Sequence, residues 1–237
     1  MIKQNIITCI ILTLLLTNVT AQSINQLDEN GARHGYWKMD FEKTDQPRYE
    51  GLFDHGHEVG TFKFYKFVAV KRNLSATREF LPNSDKINVK FFSSKGKLIS
   101  EGSMNDKIYV GKWVYYQNKT DGLLMTEHYD KDGMLSGEKL VFYENGQIAE
   151  KSFYLNGQID GISTWYSPEG KVLKEFTYMK DQLHGISKYY DSDGILLAEG
   201  MYKNDKKYGI WKYYENGALS EEKDFTTYSK NPKKQKQ

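Results

Sequence analysis

The chain has 237 residues, and its 33 basic and 31 acidic side chains leave a formal net charge of +2 at pH 7. That balance excludes the strong positive field on which nucleic-acid affinity rests, because such binding is dominated by phosphate neutralisation. Tyr (18), Phe (12) and Trp (4) are plentiful, so the packing has to be built from rings, each burying about 150–250 Å².

At the N-terminus, Met1 to Lys3 form a short basic start, Ile6 to Leu16 an apolar run, and Val19, Thr20 and Ala21 a small-residue exit. This is the pattern of a signal peptide over residues 1–21. Its apolar run is about half of the roughly 20 residues needed to span a bilayer, so no transmembrane helix is expected after cleavage. The chain is expected to be exported, periplasmic or secreted. Cys9, the one cysteine, lies inside the apolar run. The mature chain is therefore expected to have no disulfide, no cysteine-bound metal and no cysteine nucleophile.

Residues 22–34 read as a lead-in, after which one phrase repeats. Glycine opens an aromatic segment at 35, 60, 111, 137, 161, 185 and 209, and a further unit opens at Ile87, giving steps of 25, 27, 24, 26, 24, 24 and 24. A period in this range marks units that bury their apolar faces only against their neighbours. About eight units fill residues 35–228. Unit 60–86 is irregular, with an extra Phe67 to Val70 run and a Leu81-Pro82-Asn83-Ser84 turn. Residues 229–237 form a basic tail, expected to be disordered, that holds Lys230, Lys233, Lys234 and Lys236.

Each unit splits into two short apolar runs around turn residues such as Glu144-Asn145-Gly146 and Glu215-Asn216-Gly217. Asn-Gly between aromatic runs signals a β-hairpin, because those residues accept the positive φ of tight turns. The fold class expected is all-β: an elongated, single-layer, curved antiparallel sheet of consecutive hairpins. Residues two apart share a sheet face. The second and fourth positions after each opening residue therefore place Trp37, Phe62, Trp113, Trp165, Tyr189, Trp211 and Tyr213 on one face, while Lys38, Lys63, Tyr65, Tyr116, Tyr166, Lys188, Tyr190, Lys212 and Tyr214 share the other. Lys139, Ser163 and Ser187 interrupt the first series.

The recurring Gly-x-Trp/Phe-x-Tyr-Tyr-x-x-x-Gly followed by Glu and an aromatic, with His-Gly at 34–35 and 184–185, resembles the MORN repeat. It is more closely similar to the bacterial MORN-variant family of YwqK-type antitoxin-like proteins. The resemblance covers residues 35 to about 228 and implies consecutive antiparallel hairpins, with binding in place of catalysis.

Glutamate recurs in the second strand of the units, at Glu50, Glu101, Glu127, Glu150, Glu175, Glu199 and Glu222. A glycosidase needs one facing pair of carboxylates, whereas a residue repeated along an array belongs to the scaffold, here as partner of lysines such as Lys188 and Lys212. His55, His57 and Glu58 offer two imidazoles and a carboxylate, but they align with the turns between hairpins, and a third adjacent ligand is needed. His34 and His184 share one register in the repeat. No phosphate loop, nucleophile elbow or zinc-protease motif is present. No catalytic residue, metal or cofactor is expected. The expected function is an exported scaffold for protein–protein interaction. The alternatives are neutralisation of a partner toxin, and recognition of envelope glycans or lipid head groups by the aromatic face.

Overall fold

A computed structural model describes residues 23–68 and 71–226, and all of their regular structure is β. The signal peptide and the basic tail expected from the sequence lie outside the described residues. A lead-in strand, β1 (Gln26–Leu27), precedes eight hairpins. The first four are β2 (Arg33–Asp40) with β3 (Pro47–Asp54), β4 (His57–Val68) with β5 (Lys71–Phe80), β6 (Lys86–Phe92) with β7 (Leu98–Asn105), and β8 (Ile108–Tyr116) with β9 (Leu123–Tyr129). The second four are β10 (Gly137–Phe142) with β11 (Ile148–Leu155), β13 (Gly161–Tyr166) with β14 (Val172–Met179), β15 (Gln182–Tyr190) with β16 (Leu196–Lys203), and β17 (Lys206–Glu215) with β18 (Ala218–Asp224). The short β12 (Gln158–Ile159) precedes β13.

Every strand pairs antiparallel with its chain neighbours, β11 taking both β12 and β13, so the eighteen strands form one open meander. The stretch expected to be irregular forms the longest hairpin, with strands of 12 and 10 residues. There Arg72 and Arg78 lie over the rings of Tyr65 and Phe64, at 5.3 and 5.2 Å from the ring centres.

Of the opening glycines, Gly137 and Gly161 start β10 and β13, whereas the others lie within strands. All have positive φ, and each marks a break in the register with the preceding unit. Across β7 and β8, Glu101 faces Val114 but Ser103 faces Val110. The extra residues are absorbed at Gly111, whose φ is +67°, a left-handed conformation that glycine adopts without steric cost. Ile87 shows the converse. The β5–β6 ladder runs without a register shift, so no left-handed residue is required there.

The core is centred on a row crossing the sheet at the second position after each opening residue, flanked by buried Phe53, Ala76, Met104, Val110 and Ala198. Trp37 faces Gly51, Phe62 faces Arg78, Val89 faces Gly102 and Trp113 faces Glu127. Beyond them Lys139 faces Ser152, Ser163 faces Phe176, Ser187 faces Gly200 and Trp211 faces Lys223.

Two of the seven recurrent glutamates depart from the expected position. Glu50, Glu101, Glu199 and Glu222 face lysines across a strand pair, as does Glu175 opposite Lys188. Glu127 instead faces Trp113, and Glu150 faces Val141. Each lies one residue out of register and therefore on the aromatic side, because a slip of one residue reverses the face.

Candidate binding surfaces

The aromatic face is largely closed upon itself. Phe62, Trp113 and Trp211 are fully buried, while Trp37, Trp165, Tyr189 and Tyr213 are half-buried. The seven rings therefore do not form one open groove, since three of them have no surface on which a ligand could stack. The closure has a local cause. A Cβ on Gly51, Gly102 or Gly200 would stand 2.3–2.4 Å from the ring of Phe62, Trp113 or Trp211, so each ring lies flat on a glycine of the preceding strand. From the other side Tyr109 stacks on Trp113 at 3.7 Å, Phe53 and Phe80 set their edges on Phe62, and the Lys207 ammonium lies 4.0 Å from the Trp211 ring centre. The indole N–H groups of Trp113 and Trp211 donate to the carbonyls of Ser103 and Met201 at 2.9 and 3.0 Å, carbonyls that lie at the register break.

In the middle of the array the row turns polar. Lys139 Nζ lies 3.4 Å from Glu127 Oε1, and the Tyr129 hydroxyl donates to Glu127 Oε2 at 2.7 Å. Burial first, and then that bond, hold the Tyr129 hydroxyl well above its ordinary range. Ser152, Ser163 and Ser187 are fully buried. The ring missing from Ser163 and Ser187 is supplied by Phe176, which faces both and contacts Trp165 and Tyr189 at 5.3 and 5.0 Å.

On the opposite face the repeated glutamates accept bonds from tyrosines of the following unit. Glu50 Oε1 accepts from Tyr65 at 2.6 Å, Glu101 from Tyr116, and Glu199 from Tyr214 at 2.9 Å. Burial alone would raise the Glu50 carboxyl, but the hydroxyls of Tyr65 and Tyr36 outweigh it and hold the group below its usual value. Reciprocally, burial and the Glu50 bond push Tyr65 up to about 12. These latches tie unit to unit.

That face also carries an exposed apolar stripe, which reading the rings alone overlooks. Phe153, Ile162, Ile186, Met201 and Ile210 lie on β11, β13, β15, β16 and β17, with Thr177 of β14 in the same line. Ile162, Ile186 and Ile210 are 50%, 57% and 56% exposed. The sequence held the signal, for isoleucine directly follows the opening glycine in three successive units. Beside the stripe runs a row of alternating sign, Glu175, Lys188, Glu199, Lys212 and Glu222.

Of the histidines, the group that converges is His34, Asp54 and His55. His57 and Glu58 begin β4 outside it, and burial pushes the Glu58 carboxyl up.

The fold and these faces define a non-globular hairpin-repeat sheet. The family model of the MORN repeat variant matches three consecutive stretches, residues 135–156, 159–180 and 183–204. Each match starts two residues before an opening glycine and ends at a left-handed turn residue, Asn156, Lys180 or Asn204. The fifth, sixth and seventh hairpins are thus MORN-variant repeats.

Proposed function

We propose that the chain is an exported, non-enzymatic repeat scaffold that acts by protein–protein contact, and that its contact face is the isoleucine stripe of the second half of the sheet. One observation carries the reading: the ring face is largely closed by its own side chains, whereas the opposite face leaves a line of exposed apolar residues on five strands, with Thr177 of β14 between them. Contiguous exposed apolar surface of this kind marks interaction sites.

The charge row selects the occupant. A two-fold axis along the strands, passing between β15 and β16, would set Lys188 against Glu199 of a second copy and Glu175 against its Lys212. The same operation lays Ile186 on Met201 and Thr177 on Ile210. Over the four central strands, β14 to β17, the face is therefore self-complementary, as a two-fold interface requires, with Ile162 brought onto Asp224 at the margin, and we assign it to a second copy of this chain packed sheet on sheet at about 10 Å. Six strands at about 4.8 Å spacing span about 24 Å, which places the contact at the small end of stable interfaces.

Sedimentation of the chain across micromolar concentrations is expected to show a monomer–dimer equilibrium. Ile186→Asp should leave a monomer with an unchanged β-sheet circular dichroism spectrum. Lys188→Glu should weaken the dimer at least tenfold, and adding Glu199→Lys should restore it. A chain that stays monomeric throughout, or a charge-reversed double variant no better than the single, overturns the assignment. A monomer that binds a toxin through Ile186 would keep the face and replace the occupant, the outcome implied by the antitoxin-like resemblance.

A further inference from the structure

At the N-terminal edge, away from the stripe, two histidines and an aspartate from two stretches of chain meet. His34 comes from β2, Asp54 from the end of β3 and His55 from the turn that follows. His34 Nδ1 is 3.5 Å from Asp54 Oδ1, and His55 Nε2 is 3.9 Å from the same oxygen. One ligand atom from each residue lies within 4.8 Å of the others. Ligands about 2.0–2.1 Å from a tetrahedral metal sit roughly 3.3 Å apart, so exposed side chains need only small rotations to close on an ion.

The outer partner is also in place. Asp28 Oδ2 lies 2.6 Å from His55 Nδ1, and the Asp28 side chain is only 7% exposed. Its other oxygen accepts from the backbone N–H groups of Asn30 and Ala32 at 2.9 Å each. A carboxylate on Nδ1 fixes the ring and leaves the Nε2 lone pair for the cluster, the arrangement by which protein metal sites orient their histidines. His34 Nδ1 accepts a long bond from the His55 N–H at 3.4 Å, which leaves the proton of the neutral ring on Nε2; a metal ion at Nδ1 would take the place of this weak bond. His55 is held in the turn at φ +46°, which aims its side chain back toward β2.

The seventh unit provides an internal control. His184 stands where His34 does, one residue before the opening glycine, but Lys203 and Asn204 occupy the places of Asp54 and His55. There the imidazole meets only the Asn204 side chain, at 3.1 Å. The repeat geometry alone therefore does not create the cluster; the residues placed on it do.

We infer that His34, Asp54 and His55, oriented by Asp28, form a site for a divalent transition metal. Two imidazoles and one carboxylate suit zinc, with solvent completing the coordination. The ion would pin the lead-in, which supplies Asp28, to the first two hairpins.

Titration of ZnCl2 into the untagged full chain, read against a chromophoric chelator, is expected to give one ion per chain at micromolar affinity. His34→Ala, Asp54→Ala and His55→Ala should each weaken binding at least tenfold, and Asp28→Asn should weaken it about 10–100-fold. His184→Ala should change nothing. Thermal melting without metal separates loss of ligands from loss of fold, because the His34, Asp54 and His55 side chains are exposed and their metal-free variants should melt as the parent does. No binding up to about 1 mM zinc by a folded chain, or binding that survives His34→Ala combined with His55→Ala, overturns the site.

Discussion

At the joint between β7 and β8 the Trp113 ring lies on Gly102, and the opening residue Gly111 has φ +67°. At the joint between β14 and β15 the ring belongs to the earlier strand, as Phe176, the later strand offers only Ser187, and the opening Gly185 has φ +119°. The same split runs through the array. Gly60 and Gly209, which precede Phe62 and Trp211, have φ +64° and +69°, whereas Gly137 and Gly161, which precede Lys139 and Ser163, have φ +108° and +102°. At the Gly51–Phe62, Gly102–Trp113, Gly200–Trp211 and Phe176–Ser187 joints a large side chain meets a small one, and which strand carries the ring varies; the joints between them instead pair Glu127 with Lys139 and set Ser152 beside Ser163. A joint is thus specified by the volume its two strands share, and the backbone at the opening glycine adjusts to whichever strand supplies the bulk.

The sharpest way to break that comparison is to exchange the two solutions. Trp211→Ser should cost about 3–5 kcal/mol in chemical denaturation, because it empties a fully buried aromatic site. Gly200→Phe alone should also destabilise, since even its Cβ would stand 2.3 Å from the Trp211 ring. The double variant recreates the Phe176–Ser187 arrangement. It is expected to be more stable than the sum of its parts by about 2 kcal/mol. Strict additivity would show that position, and not shared volume, sets the joint.

A smaller effect separates the two kinds of opening glycine. At Gly111 nothing lies within 4 Å of an added Cβ, and its φ is in the left-handed region that asparagine tolerates, so Gly111→Asn should cost about 1 kcal/mol. At Gly185 an added Cβ would meet Thr177 Cβ at 3.0 Å, and φ lies well beyond that region, so Gly185→Asn should cost about 3 kcal/mol. Equal melting temperatures for the two variants would contradict the distinction drawn from φ.

Much of this architecture was legible before the structure, because hairpin turns and opening glycines are local signals written in residue type. The strand order, the eight hairpins and the two faces follow from period and alternation alone. Alternation puts the rings on one face without deciding whether they line a groove or pack on one another. The closure depends on Gly51, Gly102 and Gly200 standing beneath Phe62, Trp113 and Trp211 across a register break, and although each glycine follows a recurrent glutamate, its position under a ring is fixed only by pairing between units. Glu127 and Glu150 show the same limit from the other side: spacing groups them with Glu101, but a one-residue slip turns both to the ring face. The His34–Asp54–His55 group was hidden similarly, since sequence proximity favours His57 over His34 while the hairpin brings back His34.

The weakest element of the comparison is the polar face, where Tyr116 donates to Glu101 across the same joint that Trp113 seals. The bond from Tyr116, aided by Lys90, holds the Glu101 carboxyl below its ordinary value of 4.5, while Glu101 pushes Tyr116 up to about 12. A lowered carboxyl contributes stability that is complete above the unfolded value and is lost as pH falls through the folded one. A raised hydroxyl contributes stability that is present below pH 10 and is lost as pH rises toward 12. Tyr116→Phe should therefore cost about 1 kcal/mol at neutral pH, or about 2–4 °C in melting temperature for a chain of this size. It should also flatten both limbs of the melting-temperature profile, the acid one below pH 4.5 and the alkaline one above pH 10. If the acid limb of the variant superimposes on that of the parent, the latch contributes nothing and the joint is held by Trp113 on Gly102 alone.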